Sequence, residues 1–246
     1  MTGRQHRRQA AEGCVEHVHD GLAAGVDGCN AGWVLVVALP GGSTRVEVIT
    51  VGFERIAKRR DLGLVVVDIP IGLPDKGPRQ ADKAARRLLG KRGCCVFPAP
   101  VRPLLHCVGW EEISAKRRDV EGKGATKQMA AIIPKIREAD SIVDHRLQAK
   151  IREGHPEVSF AAMNDGIAIQ SKKKKLAGRN ERLALLRGYF SDVDARVEEY
   201  PAYKEDIIDA YAMLWTAQRL KRRSAKRLPA DVIEIDPRKL HMEINY

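Results

Sequence analysis

The sequence predicts an α/β domain built on a mixed sheet flanked by helices, in which three antiparallel strands precede parallel strands. Short turns separate three apolar runs, as in an antiparallel meander: 22–28, 33–39 and 45–51. A uniformly apolar run then follows a short helical segment: 62–68 after 53–60. Because a strand reached through a helix pairs most easily in parallel, and because an apolar strand is covered on both faces, we expect 62–68 at the centre of the sheet.

The rest of the chain alternates helices with loops and belongs to the same domain, residues 22–246. Residues 70–125 are rich in Pro, Gly and Arg and are interpreted as a helical and loop insertion that caps the carboxyl edge of the sheet. Further elements are predicted as follows: helices at 79–89, 126–147, 180–190 and 204–222, a strand within 151–158, and an edge strand in the tail 231–246.

Composition restricts where the protein works. No apolar run approaches the ~20 residues that a membrane helix needs, so no membrane partner is expected. Arg4, Arg7 and Arg8 precede no apolar stretch, which argues against a secretory signal and predicts a basic, mobile arm over residues 1–21. The five cysteines form no disulfide framework, which is typical of a reducing cytoplasm.

The charge balance favours a polyanionic partner, nucleic acid above all. Lys and Arg number 43 against 32 Asp and Glu, a net charge of +11. Residues that could contact phosphate lie in a basic run and in the insertion: Lys172, Lys173, Arg179 and Arg182, and Arg79, Arg86 and Arg102. A solvated surface is the alternative interpretation of the basic run.

Acidic side chains stand where secondary structure would hold them rigidly. Asp27 and Asp68 end apolar runs whose carboxyl ends meet at one edge of the predicted sheet, the edge at which such sheets bind ligands. Asp206 and Asp209 share one face of the last helix, and the small Ala210 would let that helix approach the sheet closely. Convergent carboxylates suit Mg²⁺ or Mn²⁺, and these four residues are the predicted metal ligands.

A further block, His155-Pro156-Glu157, is less specific. Glu157 could complete the catalytic carboxylates, or could form a structural ion pair. His155 could orient a carboxylate or shuttle a proton, or could be structural. Turn-forming and capping roles are the alternatives for Asp27 and Asp68, and a dipole-favoured or solvated position is the alternative for Asp206 and Asp209.

Several blocks occur in an order that resembles a known family: 25–28 with Gly32-Trp33, 67–74, 96–100, 155–160, 171–173 with Gly178-Arg179, and 206–210. Over residues 23–246 the chain resembles the uncharacterised family of predicted RNase H-like nucleases, a domain of unknown function. The resemblance implies an RNase H-like core with Asp27 on the first strand and Asp68 on the fourth. Residues 206–212 are similar to the closing motif of RuvC-type resolvases, which supplies the last metal ligands. The chain departs from the family at Gly154, where a branched apolar residue is usual, and at Cys94-Cys95, where small hydroxyl residues are commoner.

These features predict a Mg²⁺- or Mn²⁺-dependent nuclease, with Asp27, Asp68, Asp206, Asp209, Glu157 and His155 as catalytic candidates. One alternative is a phosphate- or ATP-binding enzyme of the actin-like type, whose phosphate cradle would be the turn at 27–32. The other is a non-catalytic nucleic-acid-binding module, which needs only the basic surface.

Overall fold

A five-stranded mixed sheet forms the centre of the computed structural model, which describes residues 21–246. The strands are β1 Leu22–Cys29, β2 Gly32–Ala38, β3 Thr44–Ile49, β4 Leu62–Val67 and β5 Ile151–Glu153, in the order β3-β2-β1-β4-β5. Strands β1, β2 and β3 pair antiparallel, while β4 pairs in parallel with β1 and with β5. The predicted mixed sheet is therefore confirmed. The predicted basic arm lies outside the described residues, apart from Gly21.

Eight α-helices surround this sheet within the described residues: α1 Phe53–Ala57, α2 Gln80–Leu89, α3 Gly109–Glu121, α4 Lys127–Ile142, α5 Pro156–Met163, α6 Leu176–Arg187, α7 Val193–Glu199 and α8 Lys204–Lys221. Apolar side chains of one sheet face pack with α1 and α4, and those of the other face pack with α8. Near the C-terminus a two-stranded sheet joins β6 Arg227–Leu228 to β7 Ile244–Asn245. Between residues 21 and 246 no helix combines the length and the apolar character that crossing a membrane requires.

Two predicted elements end earlier than the pattern indicated. The strand within 151–158 stops at Glu153, and α5 begins at Pro156, so Glu157 lies in the first turn of a helix. Proline is favoured at the first helical position because its fixed φ and missing N–H suit that place. The helix predicted for 126–147 begins after Thr126, whose hydroxyl accepts from the Met129 amide, and it ends at Ile142.

Gly25 allows α8 to lie almost against β1. A Cβ atom at this position would stand 2.0 Å from the carbonyl oxygen of Ala210 and 2.1 Å from the amide nitrogen of Leu214. No real Cβ contact is that short, so any larger residue would push the helix away. The close approach brings Asp206 and Asp209, in the first turns of α8, down to the edge of the sheet.

Gly154, directly after β5, also allows close packing with α8. A Cβ here would lie 2.5 Å from Cγ1 of Val66 and 2.7 Å from Sδ of Met213. The long Met213 side chain therefore fills the volume that a branched residue at 154 would take. The chain after β5 is also held by pairing of Gly154 with Asn245.

Candidate functional site

Asp27 and Asp68 project from neighbouring parallel strands onto the same face of the sheet. Val26 and Val67 are register partners, and both pack in the core that covers the other face. Because side chains alternate along a strand, the residues that follow them face α8. The amide of Asp68 donates to the carbonyl oxygen of Val26 at 3.0 Å, which fixes the two aspartates side by side.

Helix α8 brings two more carboxylates to this edge. Asp206 lies in its first turn and is half-buried, while Asp209 follows one turn later and is 1% exposed. The positive end of the helix dipole favours acids in these positions. We refer to Asp27, Asp68, Asp206 and Asp209 as the aspartate cluster.

The members of the cluster influence one another's ionisation. Burial, followed by the charges of Asp68 and Asp209, holds the pKa of Asp27 well above its ordinary value. Burial and the charge of Asp209 raise the pKa of Asp68 to about 7, and the same two causes raise the pKa of Asp206 to about 6. Like charges brought together out of water make ionisation costly, so the cluster carries more negative charge than its surroundings compensate.

A lysine partly neutralises the cluster. Nζ of Lys173 lies 2.5 Å from Oδ2 of Asp209, and the charge of Asp209 is the main reason that the pKa of Lys173 is raised. The other oxygen of this carboxylate, Oδ1, is buried and accepts no hydrogen bond from the described residues. A buried acceptor without a partner is uncommon and calls for a ligand or an ordered water.

Lys173 is held in place by a buried ion pair. Nη2 of Arg182 lies 2.6 and 2.8 Å from the two carboxylate oxygens of Glu157. Nη1 of Arg182 donates to the carbonyl oxygens of Ser171 and Gly178, at 3.3 and 2.7 Å. A Cβ at Gly178 would stand 2.3 Å from the carbonyl oxygen of Lys172, so the basic run crosses α6 in close contact. This packing points Lys173 toward Asp209.

The ion pair corrects two of the predicted roles. Glu157 was expected among the catalytic carboxylates and Arg182 among the phosphate contacts, but they are 7% and 1% exposed and bind each other. The structural ion pair, weighed as the alternative for Glu157, is the arrangement observed. Both residues shape the site from behind rather than face a ligand.

The remaining predicted phosphate contacts differ in availability. Arg79 is 2% exposed and paired with Asp82 and Glu153, so it is not offered to a ligand and that expectation was wrong. Arg102 pairs with Asp140 and Asp236. Nε of Arg86 donates to the carbonyl oxygen of Val96, and Arg179 pairs with Glu205. Lys172 is exposed and has no ion pair within the described residues.

His155 lies just before α5, beside the site. Its Nδ1 is buried and forms no hydrogen bond within the described chain. Burial lowers the pKa of His155, against the opposing influence of the charges of Glu157 and Asp209. Burial therefore favours the neutral form of this imidazole.

Lys135 is a contributor that the sequence did not reveal. Its Nζ donates to the carbonyl oxygen of Gly32 at 2.5 Å and lies 4.5 Å from the centre of the Trp33 ring. A Cβ at Gly28 would lie 2.9 Å from Cδ of Lys135, so the lysine crosses directly over the turn after Asp27. Its charge offsets a small part of the rise in the pKa of Asp206. No local pattern marks Lys135, since its role depends on α4 crossing the end of β1.

The carboxylate oxygens of the cluster are of the type that binds a divalent cation, but the four side chains do not form a complete coordination shell. Across residues 21–246, no group of three or more His, Cys, Asp and Glu side chains is placed so that it could hold a metal ion. Mg²⁺ does not require such a group, because it commonly binds through one or two carboxylates and completes its shell with water and substrate phosphate. The unpartnered Oδ1 of Asp209 is one oxygen that could bind Mg²⁺ in this way.

Comparison with known proteins gives one family. Neither a curated protein nor a solved structure matches the chain. The family model described as "Protein of unknown function (DUF429)" matches residues 25–234. This range contains the second half of β1, all of β4 and the first turns of α8, and with them every member of the aspartate cluster. Because the match covers most of the chain, the protein belongs to the DUF429 family.

Proposed function

We propose that this protein is a Mg²⁺- or Mn²⁺-dependent nuclease with an RNase H-like core, which hydrolyses phosphodiester bonds in nucleic acid. The observation that carries the proposal is the aspartate cluster at the carboxyl edge of two parallel strands. Four acids that repel one another, with a single lysine paired to them, cost stability in the absence of a cation. Such a cost is expected where function requires it.

Each residue then has a definite task. Asp27 and the unpartnered oxygen of Asp209 would hold the divalent ion, with Asp68 beside them, and water and substrate phosphate would complete its shell. When bound, the ion polarises the phosphoryl oxygen as a Lewis acid. The imidazole of His155, whose Nδ1 has no hydrogen-bond partner among the described residues, would accept the proton of the attacking water. Lys172 contacts the phosphate backbone from the exposed surface.

The charge distribution supports a polyanionic substrate. The first 20 residues contain three Arg and three acidic side chains, so the net charge of +11 belongs to residues 21–246. Because of that charge, binding to a phosphate backbone would be favoured by counterion release, and the association would weaken with salt. The cysteine content leads us to expect a cytoplasmic protein, which is compatible with either DNA or RNA as the substrate.

The direct test is cleavage of labelled oligonucleotides, single-stranded and duplex, in Mg²⁺ or Mn²⁺. Wild-type protein is expected to cleave and Asp27→Asn to lose activity by at least 100-fold, a loss on the order of 3 kcal/mol in activation free energy. The matched control is Asp119→Asn, the same change at an exposed aspartate of α3. Equal cleavage by wild type and Asp27→Asn, or none by either, would oppose the proposal.

A second candidate function is a non-catalytic nucleic-acid-binding module. The observation favouring it is that Lys173 already neutralises part of the cluster while the described residues lack a three-ligand metal group. This candidate predicts salt-dependent oligonucleotide binding that is the same in wild type and Asp27→Asn, without cleavage at any metal concentration.

A further inference from the structure

Lys173 places a positive charge at the aspartate cluster. Its ammonium contacts Asp209, and its charge offsets part of the rise in the pKa of Asp27, Asp68 and Asp206. The ammonium therefore contacts one acid directly and lies near enough to the other three to influence their ionisation. Two-metal sites instead place two divalent ions about 3.5–4 Å apart.

The placement of this ammonium is built into the fold. The Lys173 side chain is 44% exposed, yet its tip reaches a carboxylate that is 2% exposed. Gly178 lets the basic run press against α6, and Arg182 holds the carbonyl oxygen of Ser171. Because Glu157 in turn fixes Arg182 with both oxygens, the segment that carries Lys173 has little freedom to withdraw.

The two oxygens of Asp209 have different partners. Oδ2 binds Lys173, while Oδ1 is buried and unpartnered within the described residues. An unpartnered acceptor on a residue only 1% exposed is an observation independent of the acidic clustering itself. It leaves one place for a cation beside the place that Lys173 takes.

Charge compensation also favours one ion. Four aspartates meet three positive charges when one divalent ion joins Lys173, which leaves a small negative excess. Two divalent ions together with Lys173 would bring five, which exceeds the acids. A compact, strongly hydrated ammonium is able to act as a fixed point charge of this kind.

We propose that Lys173 is the second cation of this site, so that the aspartate cluster binds a single divalent ion and Asp209 bridges that ion and the ammonium. This statement rests on the proposed function and specifies its metal content. During phosphodiester hydrolysis, Lys173 would then provide the positive charge that a second metal provides in two-metal sites.

The test is to count bound Mn²⁺ per chain with purified full-length protein, using the electron paramagnetic resonance signal of free Mn²⁺ during titration. We expect wild type to bind one ion and Asp27→Asn to bind none. Lys173→Met should bind two, because the vacated place then accepts a cation. Lys174→Met, the same change at an exposed neighbour in the basic run, should bind one, as should Lys173→Arg.

Each outcome separates this inference from the proposed function. Two ions in wild type would overturn the role of Lys173 and leave the metal centre standing. A single ion in Lys173→Met would overturn the role of Lys173 as well, since it would show that the ammonium does not occupy a site that a metal ion can take. Absence of binding in wild type would overturn the metal centre and this inference with it. If Lys173→Met does not fold, the wild-type count still decides.

Discussion

Two acidic clusters lie at the carboxyl ends of adjacent parallel strands and differ in how their charge is met. The aspartate cluster follows β1 and β4. The second cluster, here the Arg79 cluster, consists of Arg79, Asp82 and Glu153, with Glu153 at the end of β5. In the Arg79 cluster every carboxylate oxygen has a partner, since the amides of Ile71 and Ala99 complete what Arg79 begins.

The comparison distinguishes acids that form structural ion pairs from acids that lack partners and are available to a ligand. Buried charge is tolerated when it is paired and hydrogen-bonded, as in the Arg79 cluster. In the aspartate cluster, Asp68 and Asp206 accept no side-chain hydrogen bond from the described residues, and Asp209 keeps one oxygen unpartnered. Position at the sheet edge is therefore shared, and only the surplus of negative charge distinguishes the candidate site.

The largest expected effect comes from breaking the Arg79 cluster. Arg79→Met removes the one guanidinium that pairs with both Asp82 and Glu153, leaving two buried carboxylates without a cation. Loss of one partner of a buried ion pair costs about 3–5 kcal/mol of unfolding free energy. Urea denaturation measures the change, with Lys83→Met on the exposed side of α2 as the control. A loss equal to that of the control would mean that the cluster contributes nothing to stability.

The same isosteric change in the two clusters should act in opposite directions. Glu153→Gln weakens hydrogen bonds to a buried guanidinium and should cost about 1.5–3 kcal/mol. Asp68→Asn removes a charge from a repulsive group and should raise the unfolding free energy of the metal-free protein by about 1–2 kcal/mol. Both variants are unfolded in urea at pH 8 with a chelator present. Destabilisation by both would show that Asp68 is compensated like Glu153.

The pH dependence of stability should report the uncompensated aspartates. In the folded protein the pKa of Asp206 is about 6 and that of Asp68 about 7, against an ordinary value of 3.8. Between these values the folded state holds more protons than the unfolded state, so the unfolding free energy falls as pH rises from about 4 to 7.

The measurement is urea unfolding of the metal-free protein at pH 5, 6, 7 and 8, which gives the unfolding free energy at each pH. We expect this free energy to fall by about 1–2 kcal/mol across the range, and to fall less in the double variant Asp68→Asn with Asp206→Asn. Burial also raises the pKa of Glu153 to about 7, so this residue contributes to the slope in both proteins. Identical slopes in the two proteins would assign the titration to Glu153 or another group outside the variant pair.

Much of the site could be predicted because it follows from local patterns. An apolar run that ends in aspartate fixes a carboxylate at a strand end, and spacing by three on α8 fixes two more on one face. The close approach of α8, expected from the small Ala210, is confirmed at Gly25. The mixed sheet follows from the turn residues and from the apolar run of β4 in the same way.

The partners of each charge could not be predicted, because a sequence does not show which charges meet. Arg79 and Arg182 were expected on the surface, yet each lies buried against a glutamate distant in sequence. For Glu157 a useful pattern was present: Pro156 at the first helical position with an acid after it indicates a helix start. Lys135 had no such pattern, since only the crossing of α4 brings it to Gly32.

The smallest expected effect concerns the exposed lysines beside the aspartate cluster. Lys172 precedes Lys173 and is exposed, whereas Arg222 lies at the far end of α8, about 20 Å from Asp209 along the helix. If nucleic acid lies across the cluster, Lys172→Met should lower the slope of log affinity against log salt by about one, and Arg222→Met should leave it unchanged. Fluorescence anisotropy of a labelled oligonucleotide between 50 and 200 mM salt, about the range in which such contacts are resolved, measures both slopes. Equal slopes in Lys172→Met and wild type would show that the nucleic acid does not contact the basic run. The argument for placing the nucleic acid over the aspartate cluster would then be lost.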